Sequence, residues 1–166
     1  MMEEVILVDK EDRETGTMEK MEAHEKGILH RAFSVFIFNS NNELLLQQRA
    51  LDKYHSAGLW TNTCCSHPRP GEDTLVAAKR RLREEMGMEA DLQFKTSFMY
   101  RSDYENGMIE HELDHVFVGN SNAVPHINPL EVENYSWLEV GELKKKIADR
   151  PAEFTSWFKI AMEKLF

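Results

Sequence analysis

The chain has 166 residues, of which 42% are hydrophobic and 30% are charged. These proportions predict one soluble globular domain over residues 1–166, large enough to bury a single core. The formal net charge of −9 argues against non-specific nucleic-acid binding and means that an anionic ligand must be held by a local basic cluster. No apolar run approaches the length of a membrane span and the N-terminus shows no signal-peptide pattern, so we expect neither membrane association nor secretion.

Most of the predicted elements are strands, which favours an α/β fold with a mixed sheet flanked by helices. The predicted strands, in chain order, are 4–9, 31–38, 44–49, a strand that opens at Trp60, 92–100, 108–118 and 135–139. The predicted helices are a helix-capable segment at 17–26, a charged helix that ends at Gly87, and two C-terminal segments at 142–148 and 152–165. Pro151 suits the first turn of the last helix.

The charged helix follows a turn at Pro68 and Gly71, residues that cannot continue a strand ladder. Asp73 or Thr74 can cap its N-terminus, and Gly87 can end it in a left-handed conformation. Apolar residues recur at three- and four-residue spacing and predict one buried face: Leu75, Ala78, Leu82 and Met86. Two oppositely charged pairs on other faces are of the kind that usually forms surface ion pairs: Arg80 with Glu84 and Arg81 with Glu85.

The only two cysteines in the chain, Cys64 and Cys65, are adjacent. Neighbouring positions on a strand point to opposite faces, so we expect the two thiols to lie in different environments, one in the core and one reactive. Adjacent cysteines without further partners are typical of a reducing compartment, which predicts a cytoplasmic protein.

Histidines and acidic residues stand at positions that could share a metal ion. His24 and His30 flank a predicted helix-to-strand transition, and His67 follows the cysteines. In the strand at 108–118, alternation points three acidic side chains to one face: Glu110, Glu112 and Asp114. From the residues alone, the simpler interpretation is a solvated acidic face and two unrelated surface or capping histidines.

The loop and helix that begin at Glu72 resemble most of the Nudix box, a motif whose glutamates hold divalent cations against a diphosphate. The matching residues are Glu72, Arg80, Leu82, Glu84, Glu85, Gly87 and Met88. Two positions depart from the hydrolase pattern: Ser66 stands where the box begins with glycine, and Arg81 stands where hydrolases carry a metal-binding glutamate. The reversed charge at Arg81 should weaken a multi-metal cluster for water attack on phosphorus, which argues against hydrolysis.

The segment before the box is similar to the active-site strand of type I isopentenyl-diphosphate isomerases, through Trp60-Thr61-Asn62, Cys65 and His67-Pro68. The resemblance covers nearly the whole chain and implies a Nudix-type α/β/α sandwich with a mixed β-sheet. It also implies an enzyme of isoprenoid biosynthesis that interconverts isopentenyl diphosphate and dimethylallyl diphosphate by proton addition and removal through a carbocation.

The resemblance further implies a metal ion with five protein ligands: His24, His30, His67, Glu110 and Glu112. This mixed nitrogen and oxygen set suits Mn²⁺, Mg²⁺ or Zn²⁺. Glu85 would hold a second ion, Mg²⁺, which arrives with the diphosphate. His111 and His115 fall on the other face of their strand, so we interpret them as structural or surface residues.

Four basic residues are implied as diphosphate contacts: Lys20, Arg49, Lys53 and Arg81. Cys65 and Glu112 match the two proton-transfer residues of the family, and Tyr100 matches a tyrosine that hydrogen-bonds near the carboxylate. Trp157 would stabilise the cation through its ring face, a contact that reaches about 2 kcal/mol when desolvated. Without the resemblance, Trp157 could equally serve ordinary helix packing. Closure of the pocket by the C-terminal helix would also exclude water.

Two other functions compete with the isomerase. The box alone would favour a Nudix diphosphate hydrolase, and the same scaffold could be a non-catalytic protein that binds metal or diphosphate. Arg81 and Ser66 argue against the first, and the presence of every expected catalytic and ligand position argues against the second. The expected partner is a small isoprenyl diphosphate, with no nucleic acid and no membrane, and we expect a monomer or a weak homodimer.

Overall fold

The computed structural model describes residues 3–53 and 55–166. The strands in these ranges are β1 (Glu4–Val8), β2 (Glu14–Glu19), β3 (His30–Phe38), β4 (Glu43–Arg49), β5 (Trp60–Thr61), β6 (Cys64–Ser66), β7 (Gln93–Asp103), β8 (Ile109–Asn120) and β9 (Val132–Glu139). The helices are α1 (Lys20–Lys26), α2 (Thr74–Met86), α3 (Val140–Asp149) and α4 (Ser156–Leu165). None of these helices has the length and hydropathy that a membrane span requires.

The sheet is built around β3, which pairs with β8 in parallel along its whole length. β3 also pairs antiparallel with β6, and β8 pairs antiparallel with β7. This register places His30 beside Glu112 and Ser34 beside Cys65. Residues that are far apart in the chain are thereby brought to one end of the central strands.

Helices cover both faces of the mixed sheet, as predicted for a Nudix-type sandwich. Alternate residues of β3 point to opposite sides, so Phe33 and Val35 pack with the buried face of α2, whereas Phe36 packs with α4. The same alternation separates the cysteines: Cys64 is fully buried in the α2 core, whereas Cys65 packs against the α4 core. The prediction that the two thiols occupy different environments is therefore confirmed.

The predicted ends of α2 are confirmed. The Asp73 carboxylate accepts a hydrogen bond from the Val76 amide at 3.2 Å and caps the N-terminus. Gly87 ends the helix at φ 61°, where a Cβ atom would lie 2.5 Å from the carbonyl oxygen of His126. Only glycine fits this close approach without strain, so the helix must stop here and the chain turn away towards β7.

Two boundary predictions are wrong. The first three residues of the helix-capable segment at 17–26 are strand, because β2 continues to Glu19 and α1 begins only at Lys20. β2 is an exposed edge strand, so it lacks the apolar alternation that would reveal a strand in the sequence. Pro151 does not begin α4: it opens a separate 3₁₀ turn at Pro151–Glu153, and Thr155 caps α4.

Candidate active site

One cavity collects residues that the sequence spreads over most of the chain. It is lined by parts of β3, β6, β7, β8, α2 and α4, and every predicted site residue except His24 and His30 contributes to its wall. Those two histidines are fully buried, with their rings directed at the cavity residue Glu112. The predicted catalytic, substrate-binding and metal-ligating residues therefore belong to a single site.

Three imidazole rings converge on one carboxylate oxygen in this site. The Nε2 atoms of His67 and His30 lie 2.7 and 3.0 Å from Oε2 of Glu112, and Nε2 of His24 lies 3.9 Å from the same atom. The possible ligand atoms of these four residues all lie within 4.8 Å of one another. The arrangement has the dimensions of a metal-binding cluster.

Main-chain hydrogen bonds fix the orientation of the two N-terminal histidines. His24 is in the last turn of α1, and its Nδ1–H donates to the carbonyl oxygen of Lys20 at 2.6 Å. His30 begins β3, and its Nδ1–H donates to the carbonyl of Ile28 at 2.8 Å. A carbonyl oxygen can only accept, so each ring carries a proton on Nδ1 and directs its Nε2 atom into the cluster. Metal-binding histidines in proteins are commonly oriented in this way.

The electrostatics of the cluster favour neutral imidazoles at His24 and His67 and an ionised carboxylate at Glu112. Burial lowers the pKa of His24 to about 4 and also lowers the pKa of His67. Burial alone would lower the pKa of His30 as well, but its hydrogen bond to Glu112 and the charge of that carboxylate raise it. Burial alone would raise the pKa of Glu112, but His67 and His30 hold it well below its ordinary value. Neutral imidazole and ionised carboxylate are the protonation states in which these groups bind a cation. The residues present therefore fit a divalent metal ion.

Glu110 lies beside this cluster. The Tyr100 hydroxyl lies 3.1 Å from Oε2 of Glu110 and 2.5 Å from Oε1 of Glu112, so its single proton is shared between the two carboxyl groups and links them. Burial and the charge of Glu112 raise the pKa of Glu110 well above its ordinary value. Glu110 also belongs to a second, overlapping set of possible ligands that contains His24 and His55.

The acidic face of β8 is buried. Glu110, Glu112 and Asp114 are all less than 6% exposed, so the simpler interpretation of this strand as a solvated acidic face is wrong. His111 and His115 point to the other side, where His111 contacts the Gly27 carbonyl oxygen and His115 contacts Asp12. Neither belongs to the metal-type clusters found in the described residues.

The wall of the cavity also carries the four predicted basic residues, and three of them form ion pairs. Lys20 pairs with Glu3 at 2.9 Å, and Lys53 pairs with Glu131. The third, Arg81, contacts three carboxylates: Glu84 at 3.0 Å, Glu85 at 3.0 Å and Glu131 at 3.5 Å. The fourth, Arg49, lies 5.2 Å from the ring centre of Trp157.

Glu85, the predicted ligand of a diphosphate-bound Mg²⁺, is buried at the base of this basic region. Its Oε2 accepts hydrogen bonds from Arg81, and its Oε1 accepts one from the Gln47 side chain at 3.1 Å. Burial raises the pKa of Glu85, although the Arg81 charge opposes this effect. The carboxylate is thus placed beside the basic residues, but it is paired with one of them.

Cys65 lines the cavity and is held by Trp157. The indole Nε1–H of Trp157 donates to the Cys65 sulfur at 3.1 Å, so α4 contacts the thiol directly. Burial raises the pKa of Cys65, and the neighbouring Arg49 opposes this shift. The group is therefore held as a thiol with its proton in place.

Four residues of the site were missed by the sequence analysis: Glu3, His55, Tyr104 and Glu131. Glu3 and Glu131 are the partners of the basic side chains, whereas His55 and Tyr104 contact Glu110. The one available signal was position, because His55 stands between the predicted site residue Lys53 and the active-site strand. The other three carry no motif and reach the site through long-range packing.

Solved structures with the same overall architecture are found at low sequence identity. A Deinococcus radiodurans protein superposes with a TM-score of 0.80 at 20% identity, covering 99% of this chain and all of that one. The MutT protein of Methanosarcina mazei gives a TM-score of 0.65 at 19% identity, covering 82% of this chain and 91% of that one. At this identity the likeness establishes the fold alone.

Sequence comparisons identify the family to which the chain belongs. Residues 28–158 match the family model described as the NUDIX domain. The isopentenyl-diphosphate Delta-isomerase of Pectobacterium atrosepticum is 54% identical over 98% of this chain and 90% of that protein. The isopentenyl-diphosphate Delta-isomerase 2 of Aromatoleum aromaticum is 48% identical over 99% of this chain and 87% of that protein. The chain therefore belongs to the isopentenyl-diphosphate Delta-isomerase family of NUDIX domain proteins.

Proposed function

We propose that this protein interconverts isopentenyl diphosphate and dimethylallyl diphosphate. The observation that carries the proposal is the meeting, in one cavity, of a protonated thiol at Cys65 and an ionised carboxylate at Glu112. Moving a double bond requires one group that gives a proton to carbon and another that takes a proton from carbon. The names of the curated relatives support the same reaction.

The protonation states suggest a direction for each proton. In the forward reaction, the Cys65 thiol gives its proton to the terminal methylene carbon of the alkene, which leaves a tertiary cation at the adjacent carbon. Glu112 then removes a proton from the next carbon towards the diphosphate, and the new double bond forms there. Proton exchange with solvent restores the thiol and the carboxylate, so no other reactant is consumed.

Tyr100 and Trp157 position these two groups. The Tyr100 hydroxyl holds Glu112 at 2.5 Å, and the Trp157 indole holds the Cys65 sulfur at 3.1 Å. The Trp157 ring already has the Arg49 guanidinium over its face, which supports its proposed role of stabilising a cation by about 2 kcal/mol. Ordinary helix packing of Trp157 would not explain its hydrogen bond to the Cys65 thiol.

A divalent ion would be held by His24, His30, His67 and Glu112, with Glu110 as the fifth ligand, and we propose Mn²⁺, Mg²⁺ or Zn²⁺. Such an ion would supply a fixed positive charge that keeps Glu112 oriented and tunes its proton affinity. In the same proposal, four side chains contact the diphosphate: Lys20, Arg49, Lys53 and Arg81. Glu85 would hold the Mg²⁺ that accompanies the diphosphate, and Arg81 would then turn from Glu85 towards the phosphate oxygens.

The proposal also covers the domain organisation, the oligomeric state, the partners and the location of the protein. Residues 1–166 form one domain that acts as a monomer or weak homodimer on a small molecule, without nucleic acid or membrane partners. The unpaired thiols Cys64 and Cys65 support a cytoplasmic location. The position of Arg81 beside Glu84 and Glu85 argues against hydrolysis, because it puts a positive charge where a hydrolase needs a further metal-binding carboxylate.

The proposal is tested by incubating the purified protein with isopentenyl diphosphate, Mg²⁺ and Mn²⁺ in D₂O, with proton and phosphorus NMR on the same tube. We expect deuterium-labelled dimethylallyl diphosphate without free phosphate. Free phosphate would identify a hydrolase instead, and unchanged substrate with metal bound would favour the non-catalytic protein. As a matched pair, Cys65→Ala should abolish turnover whereas Cys64→Ala should leave it near normal; the opposite result would overturn the assignment of the thiol.

A further inference from the structure

Two aromatic side chains outside the predicted site meet at its edge. His55 comes from the link between β4 and β5, and Tyr104 comes from the turn between β7 and β8. Their rings stack with centres 4.5 Å apart and planes 10° from parallel. The edge of the His55 ring also meets Trp157, at 5.8 Å and 83°. Two separate loops and the start of α4 are therefore joined at one point.

The same pair also contacts the acidic side of the cavity. The Tyr104 hydroxyl donates to Oε1 of Glu110 at 2.5 Å and shares a hydrogen bond with the Ser156 hydroxyl in α4 at 3.2 Å. Nε2 of His55 lies 3.5 Å from the same Glu110 oxygen. The pair therefore fixes Glu110 from the side opposite Tyr100, and it ties this carboxylate to α4.

His55 separates two spaces. On one side is the cavity that contains Cys65 and Glu112, and on the other is an outer groove whose lining includes Ser102, Tyr104 and Lys159. His55 lines both spaces and is only 8% exposed. We expect that removing its ring would connect the groove with the cavity beside Trp157.

We propose that His55 and Tyr104 form a wall that positions Trp157 and Glu110 and keeps the water of the outer groove away from the reacting carbons. The chemical consequence rests on the isomerase reaction proposed above. Water that reaches a tertiary cation forms a carbon–oxygen bond and releases a proton to solvent, which gives a tertiary alcohol diphosphate without a double bond. The wall prevents this loss by excluding water from the site.

The first test measures the products of His55→Ala, His55→Phe and Tyr104→Phe by proton NMR, with Lys159→Ala in the outer groove as the matched control. We expect His55→Ala to divert a measurable share of substrate to the alcohol and to lower kcat roughly tenfold, because a misplaced wall also misplaces Trp157. His55→Phe keeps an aromatic ring and should retain the wild-type product. Tyr104→Phe keeps the ring stack but loses the bonds to Glu110 and Ser156, so it should lower kcat with little change in KM.

The second test does not depend on turnover. In a Trp60→Phe, Trp137→Phe background, only Trp157 fluoresces, and acrylamide quenching then reports the access of small molecules to its ring. Trp157 is 4% exposed, so we expect weak quenching that rises severalfold with His55→Ala and not with His55→Phe or Lys159→Ala. If the protein lacks isomerase activity but quenching behaves in this way, the wall stands and the proposed function fails.

Three results would contradict the proposal that His55 and Tyr104 form this wall. The first is an active wild type whose His55→Ala variant keeps both the normal product and the normal quenching. The second is an equal defect in His55→Ala and His55→Phe together with loss of bound metal, which would make His55 a ligand. The third applies if His55→Ala does not fold: wild-type kcat and products in Tyr104→Phe would then refute the positioning of Glu110.

Discussion

The histidines and the basic residues of the cavity are held by different kinds of contact. We refer to these two groups as the imidazole side and the basic side. On the imidazole side, backbone carbonyl oxygens hold the Nδ1 atoms of His24 and His30, so the ligand atoms are aimed before an ion arrives. On the basic side, side-chain carboxylates hold the cations: Glu3 holds Lys20, and Glu131 holds Lys53. If the proposed diphosphate binds, the first set of contacts can remain, whereas the second set would be exchanged for phosphate oxygens.

The histidines are therefore preorganised for a ligand, whereas the basic side chains can change their contacts when a ligand binds. The imidazole rings are anchored to main-chain atoms within α1 and at the start of β3, so folding fixes their geometry. The basic side chains are long and flexible, and their carboxylate partners neutralise them in a strongly acidic protein while no diphosphate is bound. We therefore expect changes on the imidazole side to abolish chemistry, and changes on the basic side to alter affinity in either direction.

The largest effect should come from breaking the imidazole side with Glu112→Gln. The amide cannot accept a proton from carbon and is a weak metal ligand, so we expect kcat to fall by about 10²–10⁴-fold together with a loss of bound metal. Steady-state kinetics and metal analysis of the purified variant measure the two effects. His111→Ala changes a residue on the other face of β8, next to Glu112, and should leave both quantities unchanged. Normal turnover in Glu112→Gln would remove this residue from the mechanism.

A smaller effect, an improvement in substrate binding, should follow when the basic residues lose their partner Glu131. Glu131→Gln removes the carboxylate that pairs with Lys53 and approaches Arg81, so both cations become available to the diphosphate. We expect KM to fall severalfold with kcat nearly constant, because binding loses a competing contact and the reacting groups are untouched. Glu133→Gln, an exposed change on β9, controls for net charge. A rise in KM would show that Glu131 helps to bind the substrate.

Some parts of the site could be predicted from local sequence patterns, and others could not. Cys65 and His67 sit in a local motif, and α2 carries its own caps and apolar stripe, so short-range rules were enough. Alternation along β8 placed Glu110 and Glu112 on one face but could not say that this face is buried, since burial depends on the pairing of β8 with β3 and β7 and on the cover of α4. Sheet pairing and helix cover are long-range properties.

The residues that the sequence analysis missed share one property. Glu131 reaches Lys53 from the segment before β9, and Tyr104 reaches Glu110 from the turn before β8. Each acts through a partner in another segment, and neither lies in a pattern with a helical or strand period. The polar edge strand β2 was missed for a related reason, because it forms through hydrogen bonds to β1 without apolar residues to mark it.

The smallest predicted effect concerns stability and the buried imidazole of His55. Burial lowers the pKa of His55 from 6.5 to about 3, so in the folded protein the ring stays neutral while the unfolded chain takes up a proton. Between these values the unfolded state binds more protons, and stability therefore falls as the pH falls. The contribution of His55 is fully present above pH 6.5 and is lost as the pH drops towards its folded pKa.

His55→Phe isolates this contribution, because phenylalanine keeps the ring and does not titrate. Between about pH 7 and about pH 5, with metal removed by a chelator, the wild type should lose roughly 2 kcal/mol more unfolding free energy than the variant. Urea unfolding at the two pH values measures the difference, and His24, which is also held neutral by burial, is present in both proteins and cancels. Parallel losses in the two proteins would mean that His55 takes up its proton equally in the folded and unfolded states, so that burial does not hold its ring neutral beside Glu110.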